Sequence, residues 1–210
     1  MIHFVASTAG PVSHRANRQV LAEVAQGVWS ACGGPTGQLP GALTIAIDRA
    51  ARDRGRAPAL ELTQIARADL RTVVERASAT AVGTLALLAA ELGARAAGAR
   101  HPSIGELGIE LGIGLHVLED LKTTMGPEAA RADLWQLRPT WSWVWTSEAA
   151  DDASWVRGVR WAKQVAERGS DPLPLARFLA QFSMRRGAAE ARAQVDAARD
   201  AIQRATRDVG

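Results

Sequence analysis

Tyrosine is absent from the 210-residue sequence, phenylalanine occurs three times, cysteine once, and lysine only at Lys122 and Lys163. The single cysteine, Cys32, excludes an internal disulfide and any cysteine-based metal cluster, and it fits a reducing compartment. Beside Gly33-Gly34, where the first helix should stop, it reads as a packed small side chain. Without tyrosine, the seven tryptophans carry nearly all the aromatic surface. The longest uncharged apolar-leaning run, 77–90, is bounded by Arg76 and Glu91 and falls short of the roughly 20 residues a bilayer helix needs. Residues 1–9 lack the basic segment that opens an export signal, so the cytoplasm is the expected location. Sustained β alternation, a glycine-rich phosphate loop and a nucleophile elbow are also missing.

What remains is a helix-forming chain with 47% hydrophobic residues, enough for one domain with a full core. Its net charge is only +3 although the pI is about 9.9, and almost all of the positive charge is arginine. Arginines alternate with acids along the sequence and form no block of like charge, which argues against a nucleic-acid partner.

A single helical domain over 1–210 is expected, with a loose start at 1–12, core helices over 13–168 and C-terminal helices over 171–210. The first helix should bury Val20, Leu21, Val24, Val28 and Trp29. Pro40 opens a short helix through Leu43, Ile47 and Ala50. The stretch 61–98 reads as helical throughout, with a kink or tight contact at Gly83 and alanines that let neighbours approach closely. Pro127 and Pro139 suit first helical turns, and Asp152 suits a cap for a helix over 153–168. Trp141 and Trp145 share one helical face and Trp143 another. These indoles pack between helices, or else line an apolar channel or a subunit contact. From Pro172 the tail is helical, with a break expected at 183–187.

The most informative stretch is 108–123, GIELGIGLHVLEDLKT. Ser103 and Glu106 form a capping-box start and Gly126-Pro127 a stop, so a helix should span about 104–125. Leu107, Leu111, Leu118, Leu121 and Met125 recur at helical spacing, and Ile109, Ile113 and Val117 widen the apolar surface. His116, Glu119, Asp120 and Thr123 nevertheless gather on one face at i, i+3, i+4 and i+7. A polar face on a buried helix needs partners or a wet cavity.

This helix resembles the second aspartate-rich region of the trans-type isoprenyl diphosphate synthases, G-x-x-F-Q-x-x-D-D-x-x-D. Gly112 matches the glycine, Leu115 the phenylalanine, His116 the glutamine, Glu119 and Asp120 the acidic pair, and Thr123 the last aspartate. Downstream, Asp133, Leu134, Arg138 and Thr140 are similar to the family's D-L-x-x-G-K-x-T-L-P. Upstream, Arg71-Thr72 with Gly83 twelve residues past Arg71 reproduces the spacing of its Lys-Thr pair and glycine. The resemblance covers about 20–145 and the helical tail.

It implies an all-α antiparallel bundle of the isoprenoid-synthase type, truncated, because nothing in 1–70 is similar to the first aspartate-rich motif. Asp151-Asp152 lies after the second motif and reads as a helix cap. In the family two acidic helices hold Mg²⁺ on the substrate diphosphate. Here the resemblance offers Glu119, Asp120 and Asp133 as Mg²⁺ ligands, and Arg71, Thr72, Arg138 and His116 as diphosphate contacts. The expected function is a degenerate binding or regulatory subunit with an isoprenyl diphosphate as ligand, assembling with itself or with a full-length synthase. The alternatives are an Mg²⁺-dependent prenyltransferase completed by a partner chain, and a helical interaction protein with no ligand.

Overall fold

The computed structural model describes residues 14–35, 37–54, 61–98, 102–125 and 132–207. Among these, nine α-helices and no strands are found, in agreement with an all-α fold. They are α1 (His14–Ala31), α2 (Gly41–Arg54), α3 (Leu70–Ser78), α4 (Thr84–Ala96), α5 (Ile104–Met125), α6 (Ala132–Trp135), α7 (Trp141–Ala149), α8 (Asp152–Arg168) and α9 (Leu173–Arg207). The proposed loose start at 1–12 and the turn at Pro127 lie outside the described residues.

Two large apolar cores flank the central helix α5, with a third small cluster of Ala94, Ile104 and Ala205 at its start. The larger gathers Leu70 and Val74 of α3, Val117 and Leu121 of α5, all three tryptophans of α7, and Leu175 and Leu179 of α9. The smaller joins Leu21 and Ala25 of α1, Leu43 and Ile47 of α2, and Leu87, Leu88 and Leu92 of α4. Glycines let α5 serve both. A Cβ at Gly112 would meet the Ala86 Cβ at 2.6 Å and the Gly83 Cα at 3.2 Å, and one at Gly108 would meet the Ala90 Cβ at 2.7 Å. On its other side, a Cβ at Gly114 would meet Val195 of α9 at 2.8 Å. The expected tight contact at Gly83 is therefore present, formed with Ile109.

Several expectations need correction. Residues 61–69 are not one helix but two 3₁₀ turns, Leu62–Gln64 and Arg67–Asp69, because Leu62 is buried and its N–H is held by the Leu137 carbonyl at 2.7 Å. The run then continues through α3, a π turn over Ala79–Gly83, and α4. By length and composition Arg67–Ala96 is apolar enough to cross a membrane. Here Leu70 is buried in the larger core and Leu87, Leu88 and Leu92 in the smaller.

On α1 the buried set is Leu21 and Ala25, with Trp29 packed against it, while Val20, Val24 and Val28 face outward at 58%, 58% and 45% exposure. Both sets repeat every four residues, one position apart, and small Ala25 permits the closer approach to α2. Cys32 is exposed rather than packed. The cap of α8 is Asp151, whose carboxylate accepts the Ser154 N–H at 2.6 Å. No break occurs at 183–187. Ser183 donates back to the Leu179 carbonyl within α9, and Gly187 leaves room for the Trp145 ring, which a Cβ would meet at 2.7 Å.

These contacts set opposite outcomes for two glycines. Gly112→Leu must push α5 away from α4 and should lower stability in urea unfolding by about 2–3 kcal/mol, as overpacking does. Gly27→Ala, on the open face of α1 with nothing within 4 Å of the added Cβ, should raise stability by about 1 kcal/mol through helix propensity. Equal effects at the two positions would contradict the seam.

Candidate functional site

Every residue of α7 from Trp141 to Ser147 is buried. A helix so enclosed leaves its terminal peptide groups away from water, and they need partners from elsewhere in the chain. The N-cap residue, Thr140, makes no side-chain cap bond. Asp120 of α5 takes over that role, its Oδ2 accepting the Trp141 N–H at 3.0 Å. One turn further along, Thr124 Oγ1 and Ser142 Oγ lie 2.7 Å apart. At the other end Arg67 donates to the carbonyls of Ser147, at 2.7 Å, and Ala150, and pairs with Asp152 at 2.7 Å. An anion at the N-terminus and a cation at the C-terminus both oppose the helix dipole.

Around Trp141 the polar groups close into a ring. The Trp141 indole N–H donates to Ser78 Oγ at 3.0 Å, Ser78 Oγ lies 3.0 Å from His116 Nδ1, and His116 Nε2 lies 3.5 Å from Asp120 Oδ1. Serine, histidine and aspartate in one string have the composition of a nucleophilic triad. Their setting differs: Ser78 is fully buried and its oxygen already takes an indole N–H. The ring ties α3, α5 and α7 together. Burial pushes the Asp120 carboxyl above the ordinary aspartate value and Asp133 and Glu119 add to this, while His116 and the Trp141 N–H pull it back.

Beside the ring lies a surface cleft of about 430 Å³, lined by Arg71, Thr72, Arg76, Ile113, Trp141 and Glu190 among others. Arg71 is held on several sides. Its Nε and Nη2 reach the two oxygens of Glu148 at 2.6 and 3.1 Å, its Nη1 reaches Glu190 at 2.9 Å, and its guanidinium lies 5.5 Å from the Trp141 ring centroid. The Glu148 bond raises its pKa further above the usual arginine value against the opposing effect of burial. Burial works to raise Glu190, but Arg71 and the Trp145 indole, which donates to Glu190 at 2.8 Å, outweigh it and hold this carboxyl below its usual range.

The positions singled out by resemblance thus separate. Arg71 and Thr72 line the cleft. His116 and Asp120 belong to the buried ring. Glu119 turns to solvent 3.6 Å from Lys122. Asp133 bonds Arg138 at 3.1 Å. The Thr123 side chain lies outside the described residues. No group of three or more His, Cys, Asp or Glu side chains is placed to hold a metal ion among the described residues. Glu119, Asp120 and Asp133 are near enough for the two neighbours to act on the Asp120 charge, yet they point to different partners.

Ser78, Glu148, Glu190 and Arg67 were not picked out from the sequence. Ser78 had a signal, since it follows Arg71 by seven residues and Val74 by four on the inward face of α3. Compared with family models, curated proteins and solved structures, the chain matches none.

Asp120 makes a testable distinction. Asp120→Ala leaves the Trp141 N–H without its acceptor and should cost about 1–3 kcal/mol, whereas Asp120→Asn keeps an acceptor and removes the buried charge. Because burial holds the folded carboxyl above the ordinary aspartate value, its stabilising effect is greatest at low pH and is lost as pH rises through the folded value. In urea unfolding between about pH 4 and pH 7, the advantage of the Asn variant over the parent should therefore widen as pH rises. A gap that stays constant with pH would refute the buried carboxylate.

Proposed function

We propose that this chain is a non-catalytic helical binding protein, patterned like an isoprenyl diphosphate synthase, that acts as a binding or regulatory subunit and does not carry out prenyl transfer by itself. The observation that supports this reading is the use made of the motif residues. Diphosphate chemistry needs several cations held by convergent carboxylates that are open to substrate. Asp120 instead caps a buried helix, and Arg71 is neutralised by three glutamates, Glu75, Glu148 and Glu190. Glu119 and Asp133 each face a basic side chain of their own. Residues that would bind and ionise a diphosphate are spent on holding helices together.

The second reading, an Mg²⁺-dependent enzyme completed by a partner chain, draws on the cleft. Arg76 lines it, is exposed, and makes no ion pair among the described residues, so an anionic ligand entering there would meet an uncompensated cation.

Calorimetric titration with farnesyl diphosphate separates the two. The binding-subunit reading expects no Mg²⁺-dependent heat, and Asp120→Asn should leave any weak binding unchanged. Micromolar binding that requires Mg²⁺ and is lost in Asp120→Asn would establish the enzyme reading instead. Gel filtration with a full-length synthase tests the subunit role directly, and the expected outcome is a shared earlier-eluting peak.

A further inference from the structure

The hairpin of α8 and α9 carries a charge pattern that the linear sequence conceals. Its seam is set by Phe178 of α9 against Trp161, with ring centroids 6.2 Å apart, and against Gly158, where a Cβ would meet the Phe178 ring at 2.7 Å. Arg157 lies at the edge of this seam, its guanidinium 5.6 Å from the Phe178 ring centroid. From Arg157 an exposed row continues along α8 with Arg160, Gln164 and Arg168 at i+3, i+7 and i+11. On the α9 side a second exposed row holds Arg177, Gln181 and Arg185 at i, i+4 and i+8. The two helices pack against each other, and packed helices stand roughly 8–10 Å apart.

Elsewhere many arginines are neutralised, Arg18 by Asp48, Arg95 by Glu91, Arg138 by Asp133 and Arg199 by Asp196. None of the five arginines in the two rows makes an ion pair among the described residues. Residues 152–189, from the start of α8, contain seven Lys and Arg against three acids, Asp152, Glu167 and Asp171, a net +4; the whole chain is +3, which leaves −1 for everything else. Asp171 is engaged in accepting the Leu173 N–H at 2.9 Å. Glu167, exposed on α8 seven residues after Arg160, lies along the same row, which therefore carries three arginines against one carboxylate.

We infer that the outward face of the α8–α9 hairpin binds the sugar–phosphate backbone of a nucleic acid without regard to sequence. Guanidinium groups offer forked donors that match phosphate oxygens, and the glutamines add neutral donors in the same rows. Contacts of this kind position a protein on a strand but read no bases. Insertion into a bilayer would call for many apolar side chains among the cations, and only Val156 and Met184 are exposed beside these rows. The inference rests on this face alone and is independent of the reading of the Arg71 cleft.

Fluorescence anisotropy with a labelled duplex DNA of about 20 base pairs tests it, with duplex RNA and single-stranded DNA of equal length run alongside. Neutralising about five phosphates predicts a slope of log K against log salt near −4 to −5. Arg160→Ala with Arg177→Ala should reduce that slope by about two and weaken binding at least tenfold at about 50 mM salt. Arg204→Ala with Arg207→Ala, an equal loss of charge at the far end of α9, should change little. Far-UV circular dichroism checks that both double variants retain their helix content. A preference among the three nucleic acids would identify the kind of strand bound. Absence of binding at about 50 mM salt, or equal loss in the two double variants, would overturn the inference. So would capture by vesicles of phosphatidylglycerol and phosphatidylcholine that duplex DNA does not compete away.

Discussion

A helix whose first seven residues are all buried is the constraint to which the rest of this structure answers. α7 brings Trp141, Trp143 and Trp145 into the centre of the larger core, and their rings supply much of its apolar contact. The same burial removes its terminal N–H and C=O groups from water, where each unpaired group would cost on the order of 1–3 kcal/mol. Asp120 and Arg67 meet that demand from two different parts of the chain. At the N-terminal end no local side chain does this, since Thr140 makes no cap bond and its hydroxyl finds no partner among the described residues.

From that constraint the character of the polar residues follows. An aspartate drawn inward to serve a peptide N–H is no longer open to a cation in solution, and its raised pKa reflects the cost of keeping it there. Arg71 is in a similar position. Pinned by Glu148 and Glu190 and stacked near Trp141, it bridges α3, α7 and α9, and its charge is answered within the protein. The cleft beside it is also lined by Arg76, which is exposed and makes no ion pair among the described residues.

The sequence disclosed the helical architecture where a pattern was local. The bounds of α5 follow from its cap and stop residues, and the close approach at Gly83 from a glycine within an alanine-rich run. It misled where two patterns overlapped or where a residue had two uses. On α1 the sets 20, 24, 28 and 21, 25, 29 are one position out of phase, and only the partner helix decides between them. Gly187 reads as a breaker when taken alone, but it is a notch for an indole from another helix. His116, Asp120 and Arg71 stood out as polar groups in apolar surroundings. Their partners Ser78, Glu148 and Glu190 lie 38, 77 and 119 residues away. No periodicity within one helix can report such pairings.

The π turn over Ala79–Gly83 has a mechanical meaning of its own. Here the Thr84 N–H reaches the Ala79 carbonyl, five residues back, and the hydroxyls of Thr80 and Thr84 take the carbonyls of Arg76 and Thr80. One extra residue in a turn rotates everything that follows by about 100° about the axis. Leu70 and Val74 before it point into one core, and Leu87, Leu88 and Leu92 after it into the other. The turn thus acts as a phase shifter between two hydrophobic registers, letting one uninterrupted rod couple two cores that a straight α-helix would address from a single side.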